Sequence, residues 1–138
     1  MKLTNAIASA RADNDGTSYA TKLLVDGYEL ISDEPLSVGG TALGPTPGDY
    51  LCAALASCKA ITLRMYDQRK KWQVGEISVK VKLIKGDQTA SGQNTFYCEI
   101  QFSALLPDEQ RNRLMEVAKA CPVSRLLSKQ SEVITTIN

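Results

Sequence analysis

The sequence predicts a single α+β domain spanning residues 1–138. Three observations predict it. Short alternating runs near the N-terminus are bounded by turn signals. One long run after residue 48 is apolar or small at almost every position. Two further alternating runs frame a polar loop ahead of a helix-rich end. The expected order is an N-terminal antiparallel meander, a long buried central helix, a β-hairpin, two further helices and a C-terminal strand.

Residues 3–12 mix small and apolar side chains without helix start or stop signals. Asn14-Asp15-Gly16 is a turn signal, residues 17–24 partly alternate as a strand, and Asp26-Gly27 turns the chain into a third strand over 28–31. Residues 32–47 carry three prolines and read as a long loop, a length often tied to function. A helix is predicted over 48–71, with Thr46 as N-cap, Pro47 in its first turn and Asp49 where a carboxylate suits the helix dipole. Because Tyr50 to Leu63 is apolar or small nearly throughout, burial on every side is expected. Its second half turns basic, as a helix C-terminus favours.

Residues 74–84 alternate with period two, and 95–105 alternate again across a polar loop, which predicts a hairpin. Pro107 opens a helix running to about Ala120, with Leu114, Val117 and Ala118 on one face. Pro122 opens a short helix to about Ser128, and the β-branched run 131–137 reads as a last strand.

Sixteen basic and fifteen acidic residues give a net charge of +1, which does not suggest nucleic acid or an anionic membrane surface as a partner. No run reaches the roughly 18 apolar residues of a membrane span, and the first ten residues do not read as a secretion signal. A cytoplasmic setting is expected, where thiols stay reduced and disulfides are transient.

Four cysteines and no histidine bound the chemistry. Any thiol reaction must proceed without an imidazole base. The spacings of Cys52, Cys58, Cys98 and Cys121 fit no zinc knuckle, so neither a metal nor another cofactor is expected. On local grounds Cys121 is the better-placed thiol. It sits at the N-cap of the helix opened by Pro122, where backbone N–H groups and the dipole lower a thiol pKa, and Arg125 lies one turn on. The competing reading is a buried cysteine that merely caps a helix. Cys58, among alanines, reads locally as a small core residue, and Cys98, alternating with Phe96 and Ile100, reads as core as well. Cys52 and Cys58 stand about 240° apart around a helix and cannot bridge.

The residues also resemble a known family. Asp33-Glu34-Pro35, Gly39-Gly40, Gly44-Pro45-Thr46-Pro47, Asp49-Tyr50-Leu51 and Ala54-Leu55-Ala56-Ser57-Cys58 are similar to the first cysteine motif of the OsmC/Ohr family. Thr62-Leu63-Arg64-Met65-Tyr66, Arg69-Lys70 and Trp72 continue the match, and Cys121-Pro122-Val123 with Arg125-Leu126-Leu127 resembles the second. The resemblance covers about residues 28–137. It implies an OsmC-like fold, an intertwined homodimer with sites at the subunit interface, and a stress-response, antioxidant peroxidase acting on organic hydroperoxides. Carried over by motif, Cys58 is the peroxidatic and Cys121 the resolving cysteine, with a dithiol reductant such as a dihydrolipoyl protein closing the cycle. This reverses the ranking from local physics.

The family activates its thiolate with an arginine and a carboxylate. Asp49 holds the position that is usually glutamate. It stands nine residues from Cys58, about 180° around a regular helix, so an irregular helix start or a second subunit must bring them together. Arg11 is the candidate arginine by position alone. Ser124 stands where family members often carry histidine. Two other readings stay open: a redox sensor of the same fold without efficient turnover, and a small-ligand binding domain in which the cysteines only pack.

Overall fold

Residues 5–138 are described in a computed structural model, so Leu3 and Thr4 of the N-terminal stretch lie outside the described residues. The elements run β1 (Arg11–Asp13), β2 (Thr21–Val25), β3 (Tyr28–Ser32), α1 (Pro47–Lys70), β4 (Ile77–Ile84), β5 (Thr95–Phe102), α2 (Asp108–Lys119) and α3 (Pro122–Ser128). Two compact units divide the chain, residues 1–50 and 51–138.

The N-terminal unit is an antiparallel sheet in the order β1-β2-β3. Val25 pairs with Tyr28, which leaves Asp26-Gly27 as a two-residue turn with both φ angles positive (49° and 81°). That is the turn whose twist matches the flanking strands. The strand expected over 17–24 begins later, at Thr21, because side chains hold the preceding residues in a loop. Asn14 Nδ2 donates to Ser18 O at 2.8 Å and to Thr21 Oγ1 at 3.1 Å, and Asp15 accepts from Thr17.

The proline- and glycine-rich loop that follows is organised by one carboxylate. Asp33 is 2% exposed and accepts from the N–H groups of Glu34 (2.7 Å), Thr41 (3.3 Å) and Leu43 (3.1 Å), and from the Thr41 hydroxyl. A side chain at Gly40 would run into the Glu34 carbonyl, so this turn requires glycine. The Tyr50 hydroxyl donates to Ile31 O at 2.7 Å and fixes the start of α1 on β3.

In the C-terminal unit, β4 and β5 form an eight-residue antiparallel ladder. One face pairs Ile77 with Phe102, Val79 with Ile100, Val81 with Cys98 and Leu83 with Phe96. The other pairs Lys80 with Glu99 and Lys82 with Tyr97. The core gathers Leu63, Tyr66, Val74, Leu114 and Ala118, with Ile77, Ile100 and Phe102 packed against it. Thus α2 buries Leu114 and Ala118 and half-buries Val117, the face its sequence predicts. The turn between α1 and β4 is locked by Asp67, which accepts from Arg64 Nη1 at 2.9 Å and from the Val74 N–H at 3.2 Å. This explains Arg64, Tyr66 and Trp72 in structural terms: the ion pair holds the turn, and the rings of Tyr66 and Trp72 meet edge-on at 5.4 Å.

Two expectations are corrected. The run 131–137 forms no strand; Val133 and Ile137 are exposed at 87% and 97%, and a strand without a neighbour has no ladder to complete. Within the C-terminal unit, α1 is buried along one stripe only, Leu55, Lys59, Leu63, Tyr66 and Asp67, while Leu51, Ile61 and Met65 stay exposed.

Hydrogen bonding, above all from Thr41, holds the Asp33 carboxyl at about 2, below its ordinary 3.8. A depressed carboxylate contributes stability above its unfolded pKa and loses it as pH falls through the folded value. Asp33→Asn is therefore expected to lower the melting temperature at pH 7. The gap to the wild type should close between about pH 4 and pH 2 in pH-resolved thermal melts; a gap that stays constant to pH 2 contradicts the role given to Asp33.

Candidate functional site

All four cysteines are free thiols, and the fold brings two of them together. Cys58 is half-buried on α1. Its Sγ accepts the N–H of Val123, 65 residues later, at 3.5 Å. Val123 lies in the first turn of α3, whose N-cap is Cys121 with extended backbone (φ −64°, ψ 147°) and Pro122 in the first turn. The first turn of α3, led by Cys121, is thus seated on the Cys58 thiol.

The local expectation of a lowered Cys121 pKa is corrected. Cys121 is 0% exposed, and burial pushes its thiol up. The Ser124 N–H, directed at the sulfur without closing a hydrogen bond, pulls it down. The adjoining Cys58 side chain pushes up again, and the Lys59 ammonium pulls down. Desolvation outweighs one short helix's dipole. Arg125 is exposed and takes no part in that balance.

Lys59 is the residue the sequence reading missed. It is 5% exposed, in the middle of the buried stripe of α1. Its Nζ donates to Ala118 O at 2.7 Å, and the same oxygen accepts the backbone N–H of Cys121 at 3.4 Å. Among the described residues, no carboxylate lies within ion-pair distance of it. The signal was available. Leu55, Lys59 and Leu63 follow one another at spacings of four, so the charge falls on the buried stripe of α1.

A cleft of about 740 Å³ opens beside this cluster, lined by Leu55, Lys59, Phe96, Cys98, Lys119 and Ser124 among others. Cys98 is exposed there rather than buried in core, although the cleft walls desolvate it enough to raise its pKa. Val81, its cross-strand partner, is half-covered only. Among the described residues no group of three or more Cys, Asp or Glu side chains is arranged to hold a metal ion.

Arg11 and Asp49 belong to the N-terminal unit and are engaged there. Arg11 is exposed and its Nε meets Asp13 at 3.1 Å. Asp49 is exposed and forms a reciprocal cap: its Oδ2 accepts the Thr46 N–H at 3.0 Å while Thr46 Oγ1 accepts the Asp49 N–H at 3.1 Å. The helix runs unbroken from Pro47 to Lys70, without the irregular start considered for Asp49.

Comparison with known proteins follows this geometry. Residues 39–136 match a family described as OsmC-like protein. Among solved structures, a candidate osmotic stress induced and detoxification response protein from Psychrobacter arcticus 273-4 superposes with a TM-score of 0.73 at 18% identity, covering 91% of each chain. An organic hydroperoxide resistance protein OsmC from Legionella pneumophila gives 0.64 at 16%, covering 92% of this chain and 91% of its own. An OsmC-like protein from Mycoplasma pneumoniae gives 0.67 at 19%, covering 90% and 89%. No protein of curated function matches the sequence.

Burial and thiol chemistry together order the cysteines. In the native protein at neutral pH, iodoacetamide is expected to alkylate Cys58 at least about tenfold faster than Cys121. Peptide mapping by mass spectrometry checks this; equal labelling of the two without denaturant contradicts the burial of Cys121.

Proposed function

The chain belongs to the OsmC-like protein family, and from that premise we propose that it is a thiol-dependent peroxidase reducing organic hydroperoxides through Cys58 and Cys121. The observation that carries this reading is the meeting of the two cysteine motifs in space, with the Val123 N–H on the Cys58 sulfur. The names of relatives such as the Legionella pneumophila hydroperoxide resistance protein point the same way.

In the proposed reaction the Cys58 thiolate attacks the terminal peroxide oxygen. The O–O bond breaks, the alkoxide takes a proton and leaves as alcohol, and Cys58 is left as a sulfenic acid. The Cys121 sulfur, giving up its proton, attacks that sulfenic sulfur. Water leaves and a disulfide remains. An external dithiol, of the dihydrolipoyl class, reduces it by exchange and is itself oxidised. The Val123 N–H supports the thiolate as a donor.

We further propose a homodimer. Exposed Leu51, Ile61 and Met65 on α1, and exposed Val133, Ile134 and Ile137, support an assembly that covers them. A second copy is also the route by which Asp49 and Arg11 would serve Cys58 as carboxylate and cation. Each would exchange its present partner, Thr46 or Asp13, to do so. Residues 1–138 are read as one domain because the family match, 39–136, runs across the boundary between the two units. A redox sensor with poor recycling is the second reading, favoured by the complete burial of Cys121.

With cumene hydroperoxide and excess dihydrolipoamide, Cys58→Ser is expected to reduce peroxide consumption to the uncatalysed rate. Cys121→Ser, given an equimolar dose without reductant, should gain one oxygen by mass, whereas the wild type should lose two hydrogens. Wild-type turnover by Cys58→Ser sinks the proposal. A disulfide that forms once and resists dithiol selects the sensor.

A further inference from the structure

We propose that Lys59 is a positioning residue, a buried cation whose charge favours loss of the first proton from the Cys58–Cys121 pair. This rests on the thiol reading of the site above and deepens it.

Three observations carry the inference. First, Lys59 is 5% exposed on the same stripe as Leu55 and Leu63, where a helix of this kind places aliphatic side chains. Burying an ammonium is unfavourable unless an anion repays it. Second, among the described residues no such anion is a carboxylate. Among the described residues the hydrogen-bond partner of Nζ is the neutral Ala118 carbonyl, and none of those lining the adjoining cleft is Asp or Glu. Third, that carbonyl also receives the Cys121 N–H, so the ammonium is held within one shared acceptor of the cysteine backbone.

The groups facing Lys59 are few. Cys58 is its neighbour on α1, Cys98 comes from β5, Lys119 from α2, and Cys121 and Ser124 from the start of α3. Cys52 acts on Cys98 through its field. The ionisable groups that can become anionic here are therefore thiols, and the two brought together, through the Val123 N–H on the Cys58 sulfur, are Cys58 and Cys121. A pair this close loses its protons in steps that belong to the pair, and a fixed positive charge beside it favours the first loss. In a chain without histidine, this supplies locally the charge an imidazolium provides elsewhere.

The test is a thiolate titration by ultraviolet absorbance in a Cys52→Ser/Cys98→Ser background, where only the pair absorbs. Lys59→Met is expected to raise the first apparent pKa of the pair by about one unit or more. Lys59→Arg should restore it, and Lys59→Gln, which keeps a donor for Ala118 without the charge, should not. If the Met variant fails to fold, the Gln variant makes the same decision. Folded Met or Gln variants with the wild-type titration overturn the proposal. The readout needs no peroxide. A protein that shows the Lys59-dependent titration yet consumes no hydroperoxide would sink the peroxidase reading and leave this one standing.

Discussion

One acceptor organises the thiol site, the carbonyl oxygen of Ala118. It lies three residues before Cys121 at the end of α2 and receives both the buried Lys59 ammonium and the Cys121 N–H. That bifurcation ties α1 to the α2–α3 junction at the point where the chain must turn. From the turn, the N–H of Val123 reaches the Cys58 sulfur. Pro122 contributes by having no N–H of its own to satisfy and by presetting φ for the first turn of α3. The two cysteines are thus brought together by backbone groups, and the only long charged side chain involved is one the fold would otherwise exclude.

That exclusion has a magnitude. An ammonium without an anionic partner costs several kcal/mol to bury, on the order of a large part of a small domain's stability. The Ala118 carbonyl accepts one N–H of Nζ and offsets part of that cost. The same balance accounts for Cys121. Its helix is seven residues long, so its dipole is small, while complete removal from water acts on the whole thiolate charge. Burial and a nearby cation therefore oppose each other at Cys121, and the thiol's pKa remains raised.

Much of the fold was legible in the sequence because its punctuation is local. Asp26-Gly27 sets a turn by conformation alone, Thr46 and Asp49 cap a helix with their own side chains, and Pro122 opens one. The hairpin's period-two pattern survives intact as the face Ile77, Val79, Val81 and Leu83. What failed depends on long-range geometry. Residues 131–137 have strand composition but no strand neighbour among the described residues, and composition cannot supply a partner. The Cys121 thiol was misjudged because proximity to a helix start is written in the sequence and depth below the surface is not. Lys59 was passed over as one charge in an apolar run, although its spacing from Leu55 and Leu63 marked it for burial.

The buried stripe and the exposed face of α1 make a further argument about what sequence can specify. Leu55, Leu63 and Tyr66 are covered within the C-terminal unit, and Leu51, Ile61 and Met65 are not, yet nothing in their local pattern separates the two sets. Apolarity reports that a surface prefers to leave water; it does not report which chain removes it. The distinction lies in what is polar nearby. The covered stripe carries Lys59 and Asp67, each answered by a specific backbone group, Ala118 O and the Val74 N–H. The exposed side holds Leu51, Ile61 and Met65, side chains that area burial alone would satisfy. Toward Leu51, Ile61 and Met65 the proposed second copy would provide non-directional burial, whereas a carboxylate or cation it brought to Cys58 would act directionally. The contact of Val123 with the Cys58 sulfur is thus set within one chain, and cover of the exposed apolar side chains is left to the proposed assembly.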